Sequence, residues 1–60
     1  LDLFQAVMEL DKKYRVPVLL FYYERYSTAE IASILKIPEK TVSTRLFRAK
    51  AKLKNYLKEE

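Results

Sequence analysis

The stretch Pro38 to Leu57, PEKTVSTRLFRAKAKLKNYL, limits what this chain can become more than any other. With successive residues about 100° apart on a helix, Val42, Leu46, Ala49, Leu53, Tyr56 and Leu57 fall on one stripe. Spacings of four, three, four, three and one are those of a buried helix face. The opposite face near the start carries Lys40, Thr44, Phe47, Arg48 and Ala51, with Ser43 and Arg45 on its flanks. One side therefore demands a cover of other elements, while the other has little to do in a core. Its hydroxyls, cations and single aromatic ring suit the phosphates and base edges of a major groove.

Sixty residues make one domain at most. Such a chain buries only about 60% of the surface its unfolded form exposes, so its stability is marginal. Without cysteine it has no disulfide to help. Glycine is absent as well, which removes the easiest left-handed turns and argues against nucleotide loops that need close backbone approach. With neither histidine nor cysteine the usual zinc ligands are missing, and histidine and thiol catalysis are excluded. Residues 1–39 hold five basic and six acidic side chains, net −1; residues 40–60 hold seven and two, net +5, together the +4 of the chain. The basic excess thus lies in and around the long helix. It favours a polyanionic partner, nucleic acid before membrane; the competing reading is a solvated lysine-rich helix. The longest apolar run, Val16 to Tyr23, has eight residues, where a membrane span needs about 20, and no segment has the form of a signal peptide. The chain starts and stops inside helical patterns, as expected of a piece of something longer.

Upstream, Leu1 to Leu10 sets Leu3, Phe4, Val7 and Met8 against Asp2, Gln5 and Glu9, an amphipathic helix with the first set as core. Asp11 is placed to cap a second helix in DKKYRVPVLLFYYE. Pro17 allows two versions, one starting at the proline and a longer one from Lys12 kinked there. The longer is preferred because Tyr14 and Val18 then share a face. Val18, Leu19, Phe21 and Tyr22 cover most of its circumference, which predicts a central helix surrounded by others. A strand reading fails because a lone strand would find no partner in this chain.

Ser27 and Glu30 have capping-box spacing, and Tyr26 and Ile31 that of a hydrophobic staple. The helix from Thr28 to Leu35 is expected to bury Ile31, Ala32, Ile34 and Leu35, with Ala32 at the closest crossing. Its start offers backbone N–H groups and a positive dipole end to a phosphate. Glu30 is a cap before it is a catalytic acid, since no second carboxylate is placed to pair with it. Lys36-Ile37-Pro38 is a very short break in which apolar Ile37 plugs the angle between two helices and Pro38 opens the next. Two helices so joined, the second basic on its outer face, describe a helix-turn-helix. The expected fold is all-α, a compact four-helix domain over residues 1–60 with the helix-turn-helix at about 28–57.

With these residues in view, the chain resembles region 4 of a bacterial sigma factor, of the extracytoplasmic-function group of the sigma-70 family. The matching stretch is TAEIASILKIPEKTVSTRLFRAKAKL, preceded by DKKYRVPVLLFYYERYS, with EIA, L-x-IP, TV and RL-x-RA in family order. The resemblance covers nearly the whole chain and is weakest over Leu1 to Leu10. It implies a non-catalytic, cofactor-free cytoplasmic domain that reads the minus-35 promoter element as double-stranded DNA. It also implies docking on the β-subunit flap of RNA polymerase, and an anti-sigma protein as a possible partner. By position, Ser43, Thr44, Phe47 and Arg48 match groove-facing residues, and Lys40, Arg45 and the start of the Thr28 helix match backbone-contacting ones. The sequence departs from the family at four places. Lys40 stands where glycine is usual, Ser43 where a cation is frequent, Asp11 for a common proline and Tyr26 for a common glycine. Ser43 weakens any expectation of a bidentate guanine contact there.

Smaller questions stay open at this level. Arg48 contacts a base or makes a surface salt bridge with Glu24 or Glu30. Phe47 touches a thymine methyl or packs on the Ile31 helix. Lys50, Lys52 and Lys54 face solvent. Two further readings remain: the output domain of a LuxR-type regulator, which commonly dimerises, and a helical protein-interaction module binding an anti-sigma protein or polymerase subunit.

Overall fold

The computed structural model describes residues 2–58, with side chains as far as 56. The elements in chain order are α1 (Leu3–Met8), α2 (Lys12–Val18) continuing into a π-helical turn (Leu19–Tyr23), α3 (Thr28–Leu35) and α4 (Glu39–Lys58). Each of α1, α2 and α3 packs on α4, and α2 with its π turn in turn meets α1, α3 and α4, so the second and last helices share the centre. At 20 residues α4 is about 30 Å long and outruns the shorter helices laid across it. No described helix is long and apolar enough to cross a membrane.

Asp2 starts α1 by accepting the Gln5 N–H at 2.8 Å, a capping role that its place on the polar face had hidden. The other end closes when Arg15 Nη1 donates to the Met8 carbonyl at 3.3 Å. The buried face is Ala6, Val7 and Leu10, not the expected Leu3, Phe4, Val7 and Met8. Leu3 is 52% exposed, and Phe4 and Met8 are similarly open. Ala6 and Ala49 are both fully buried in the same cluster. Small side chains on both helices suit close packing of α1 on α4.

The Asp11 carbonyl accepts from Tyr14 at 2.9 Å and Arg15 at 2.8 Å. Asp11 thus holds the cap position, but its carboxylate makes no capping bond, contrary to expectation. The helix does run from Lys12 through Pro17. After Val18 it widens, and the Glu24 N–H reaches back five residues to the Leu19 carbonyl at 3.1 Å. A π turn changes the angle between successive side chains, so a 3.6-residue period no longer places Phe21, Tyr22 and Tyr23. Tyr14, Pro17 and Val18 are buried, whereas Tyr22 and Tyr23 are nearly half exposed. The expected burial all round is therefore corrected to one buried face. The segment ends at Arg25, left-handed at φ 64°, and the Tyr26 N–H closes on the Leu20 carbonyl at 3.0 Å.

The capping box of α3 is complete: Glu30 N–H to Ser27 Oγ at 3.1 Å and Ser27 N–H to Glu30 Oε1 at 2.8 Å. Ile31 is fully buried, Ala32 and Leu35 are partly so, and Ile34 is half exposed rather than buried. Ile31 and Leu35, four apart, set the contact face, and Ile34 falls on its flank. Tyr26, expected to staple onto Ile31, keeps more than a third of its surface in solvent. Lys36 then turns left-handed (φ 60°, ψ 46°), with Ile37 donating to the Ala32 carbonyl at 3.1 Å, a Schellman closure made without glycine. Ile37 is half-buried in the corner as expected. The Pro38 carbonyl accepts from Thr41 and Val42 at 3.0 and 3.2 Å and so caps α4. Along α4, Val42, Ala49 and Leu53 are buried and Leu46 partly. Tyr56 is exposed where α4 runs past its cover, and the Leu57 side chain lies outside the described residues.

Candidate nucleic-acid interface

Burying Val42, Ala49 and Leu53 turns the other side of α4 outward. Lys40, Ser43, Phe47 and Arg48 are exposed, and Thr44 and Arg45 are partly so. Phe47 is 74% exposed, which removes the reading that it packs on α3. A ring left this open loses burial energy of about 1.5–3 kcal/mol relative to a core position, a cost without structural return. Glu30, one of the two acids placed to pair with Arg48, is engaged in the α3 capping box. The outer face presents the Arg48 guanidinium, the Ser43 hydroxyl and the Phe47 ring together.

Thr28 is used differently from the other expected residues. Its hydroxyl donates to Glu39 Oε2 at 2.7 Å, joining the first residue of α3 to the first of α4. The side chain braces the two helices, and what α3 offers a phosphate is its backbone. The first intrahelical bond runs from Ile31 to Ser27, so the Thr28 and Ala29 N–H groups precede it and point out of the helix end.

A concave groove of about 540 Å³ runs beside this face. Lys13 and Tyr14 form one wall, and Pro38, Lys40, Thr41, Thr44, Arg45 and Arg48 the other. Four cations line it and no acid does. The Tyr14 ring holds two ammonium groups, Lys13 Nζ at 5.2 Å and Lys52 Nζ at 5.3 Å from its centroid. Lys13 and Tyr14 were not expected in the site. The signal was the Lys12-Lys13 pair opening α2, legible only once α2 is known to lie against the basic half of α4.

On the far side, an apolar groove of about 620 Å³ lies between α1, the π turn and α4. Leu3, Val7, Val18, Tyr22, Tyr23, Leu46 and Leu53 line it, with Lys50 and Lys54 at its edge.

Residues 1–53 match the family model described as "Sigma-70, region 4". The chain belongs to the sigma-70 region 4 family. It is also similar to the ECF RNA polymerase sigma factor SigW of Bacillus subtilis (strain 168), 38% identical over 55 residues. That alignment takes in 92% of this chain and 29% of the relative, so the chain spans under a third of that sigma factor's length. In this region 4 domain the departures acquire physical meaning. The left-handed residue before α3 is Arg25, at φ 64°, and not Tyr26, which follows it. Lys40 lies within α4, where any residue is conformationally acceptable, so the side chain adds a cation at the groove instead of straining the backbone.

Proposed function

We propose that this chain is the promoter-reading part of a bacterial sigma factor of the extracytoplasmic-function group, recognising the minus-35 element as duplex DNA. The observation that carries the reading is Phe47, 74% exposed beside Arg48 on the outer face of α4. An aromatic and a guanidinium held outward on the second helix of a helix-turn-helix meet the needs of direct readout: an apolar contact for a thymine methyl and a fork for guanine O6 and N7. Thr44 and Ser43 add hydroxyls for base edges. Lys40, Arg45 and the backbone at Thr28 hold phosphates and so fix the register.

The test is fluorescence anisotropy with a duplex selected by the wild-type chain and a scrambled control. Arg48→Ala is expected to lose about 1–3 kcal/mol of discrimination at one base pair, and Lys40→Ala to weaken both duplexes alike. Equal binding of both duplexes by the wild type, together with indifference to Arg48→Ala, overturns the reading. Weak absolute affinity does not, because one helix-turn-helix relies on the rest of its assembly for effective concentration.

A second surface supports a protein partner in the same process. The apolar groove, with Leu3 on its lining and Phe4 exposed against Tyr23 beside it, suits docking of the polymerase β flap, and an anti-sigma protein would compete for it. Leu3→Asp should abolish flap binding and leave DNA binding intact; loss of both together argues against two separate faces. A stable dimer on gel filtration would favour the LuxR-type alternative.

A further inference from the structure

We infer that the groove between α2 and the first half of α4 seats a backbone phosphate of the bound duplex, and that Lys13, outside the helix-turn-helix, is one of its ligands. This rests on the DNA reading above and extends the contact surface to a third helix. Lys13 faces Lys40 and Arg45 across the groove, with the Thr41 hydroxyl also on its lining and no carboxylate among the lining side chains. An uncompensated cluster of cations in a concave site focuses positive potential and draws in an anion. The groove also shares Thr44 and Arg48 with the base-reading face. A helix inserted in a major groove about 12 Å wide has a phosphate strand along its edge, so a duplex engaging Arg48 brings phosphates to the adjoining cations.

Tyr14 lies beside Lys13 at the groove. The ring is 8% exposed and belongs to the core cluster, and Lys13 Nζ lies 5.2 Å from its centroid. A cation–π contact of this kind biases an exposed ammonium toward the groove. Lys52 sits near the same ring but does not line the groove. Lys12, one residue earlier, is exposed and does not line it either, which makes it the matched control for loss of one charge.

The experiment compares wild type, Lys13→Ala, Lys13→Arg and Lys12→Ala by anisotropy on the selected and scrambled duplexes between about 50 and 200 mM salt. Lys13→Ala is expected to lower the steepness of log K against log salt by about 0.9, the signature of one neutralised phosphate. Across that fourfold salt range its deficit should shrink about 3.5-fold. The ratio between the two duplexes should not change, Lys13→Arg should restore the slope, and Lys12→Ala should change it far less. A Lys13→Ala slope equal to that of wild type or of Lys12→Ala overturns the inference. A flat salt response in the wild type sinks the DNA reading itself, a separable result. Titration with inorganic phosphate forms the second arm: saturable binding at Lys13 and Tyr14 with no dependence of the duplex slope on Lys13 assigns the groove to a free anion instead. Circular dichroism verifies that each variant is folded, with Lys13→Gln as the replacement if alanine perturbs α2.

Discussion

Lys36→Gly should make this domain more stable. Lys36 sits at φ 60°, ψ 46° directly after α3, a conformation that brings the Cβ of an L-residue too close to its own carbonyl. That costs roughly 1–2 kcal/mol, and glycine removes it. Glycine also loosens the unfolded chain, which returns about 0.4–1 kcal/mol. The midpoints of these two ranges, about 1.5 and 0.7 kcal/mol, leave a net gain of about 0.8 kcal/mol. For a chain of this size each kcal/mol moves Tm by about 4–8 °C, so the expected rise is about 3–6 °C. Lys36→Ala is the control, because it removes the same side chain and keeps the Cβ; its melt should stay near the wild type. The bond from Ile37 to the Ala32 carbonyl, 3.1 Å, does not involve the Lys36 side chain, so both variants retain the closure. Arg25→Gly, at φ 64°, should add a similar increment, since the two turns share no described hydrogen-bond partner. Thermal melts by circular dichroism decide it. If glycine and alanine at position 36 behave alike, or glycine lowers Tm, the claim that this turn stores backbone strain is wrong.

Three further outcomes follow from side-chain placement. Ile31→Ala should cost about 2–5 kcal/mol out of a total of about 3–9 kcal/mol for sixty residues, leaving a shallow melt near ambient temperature. Thr28→Val removes the 2.7 Å bond to Glu39; both ends are near solvent, so the urea midpoint should fall by the equivalent of about 1 kcal/mol or less with an unchanged slope. Phe47→Ala should leave the melt within about 0.5 kcal/mol of wild type, because its ring is 74% exposed, while weakening the selected duplex; a large stability loss would mean that the ring is packed.

Signals carried by strong local chemistry were legible in the sequence. The Ser27–Glu30 box, the break at Lys36-Ile37-Pro38 and the split of α4 into two faces each follow from residues a few positions apart. The outward-facing residues of α4 were readable for the same reason: a long regular helix keeps its period. Where the period failed, so did the reading. The π turn at Leu19–Tyr23 set Tyr22 and Tyr23 outside the core. In α1 the error was to rank residues by size. Ala6, fully buried in the same cluster as Ala49, belongs to the core, and Leu3, Phe4 and Met8 were left outside. The place of Lys13 in the cationic groove was invisible because it depends on a tertiary neighbour. Which part of α4 lies beside α2 cannot be read from either helix alone.

The most direct test of the account is a map of backbone amide chemical shifts during titration with the selected duplex. The expected result is a set of perturbations centred on Lys40, Ser43, Thr44, Phe47 and Arg48, reaching the amides of Thr28 and Ala29, with the apolar groove around Val7 and Leu46 unmoved. Shifts confined to that groove, with the outer face of α4 silent, would contradict it.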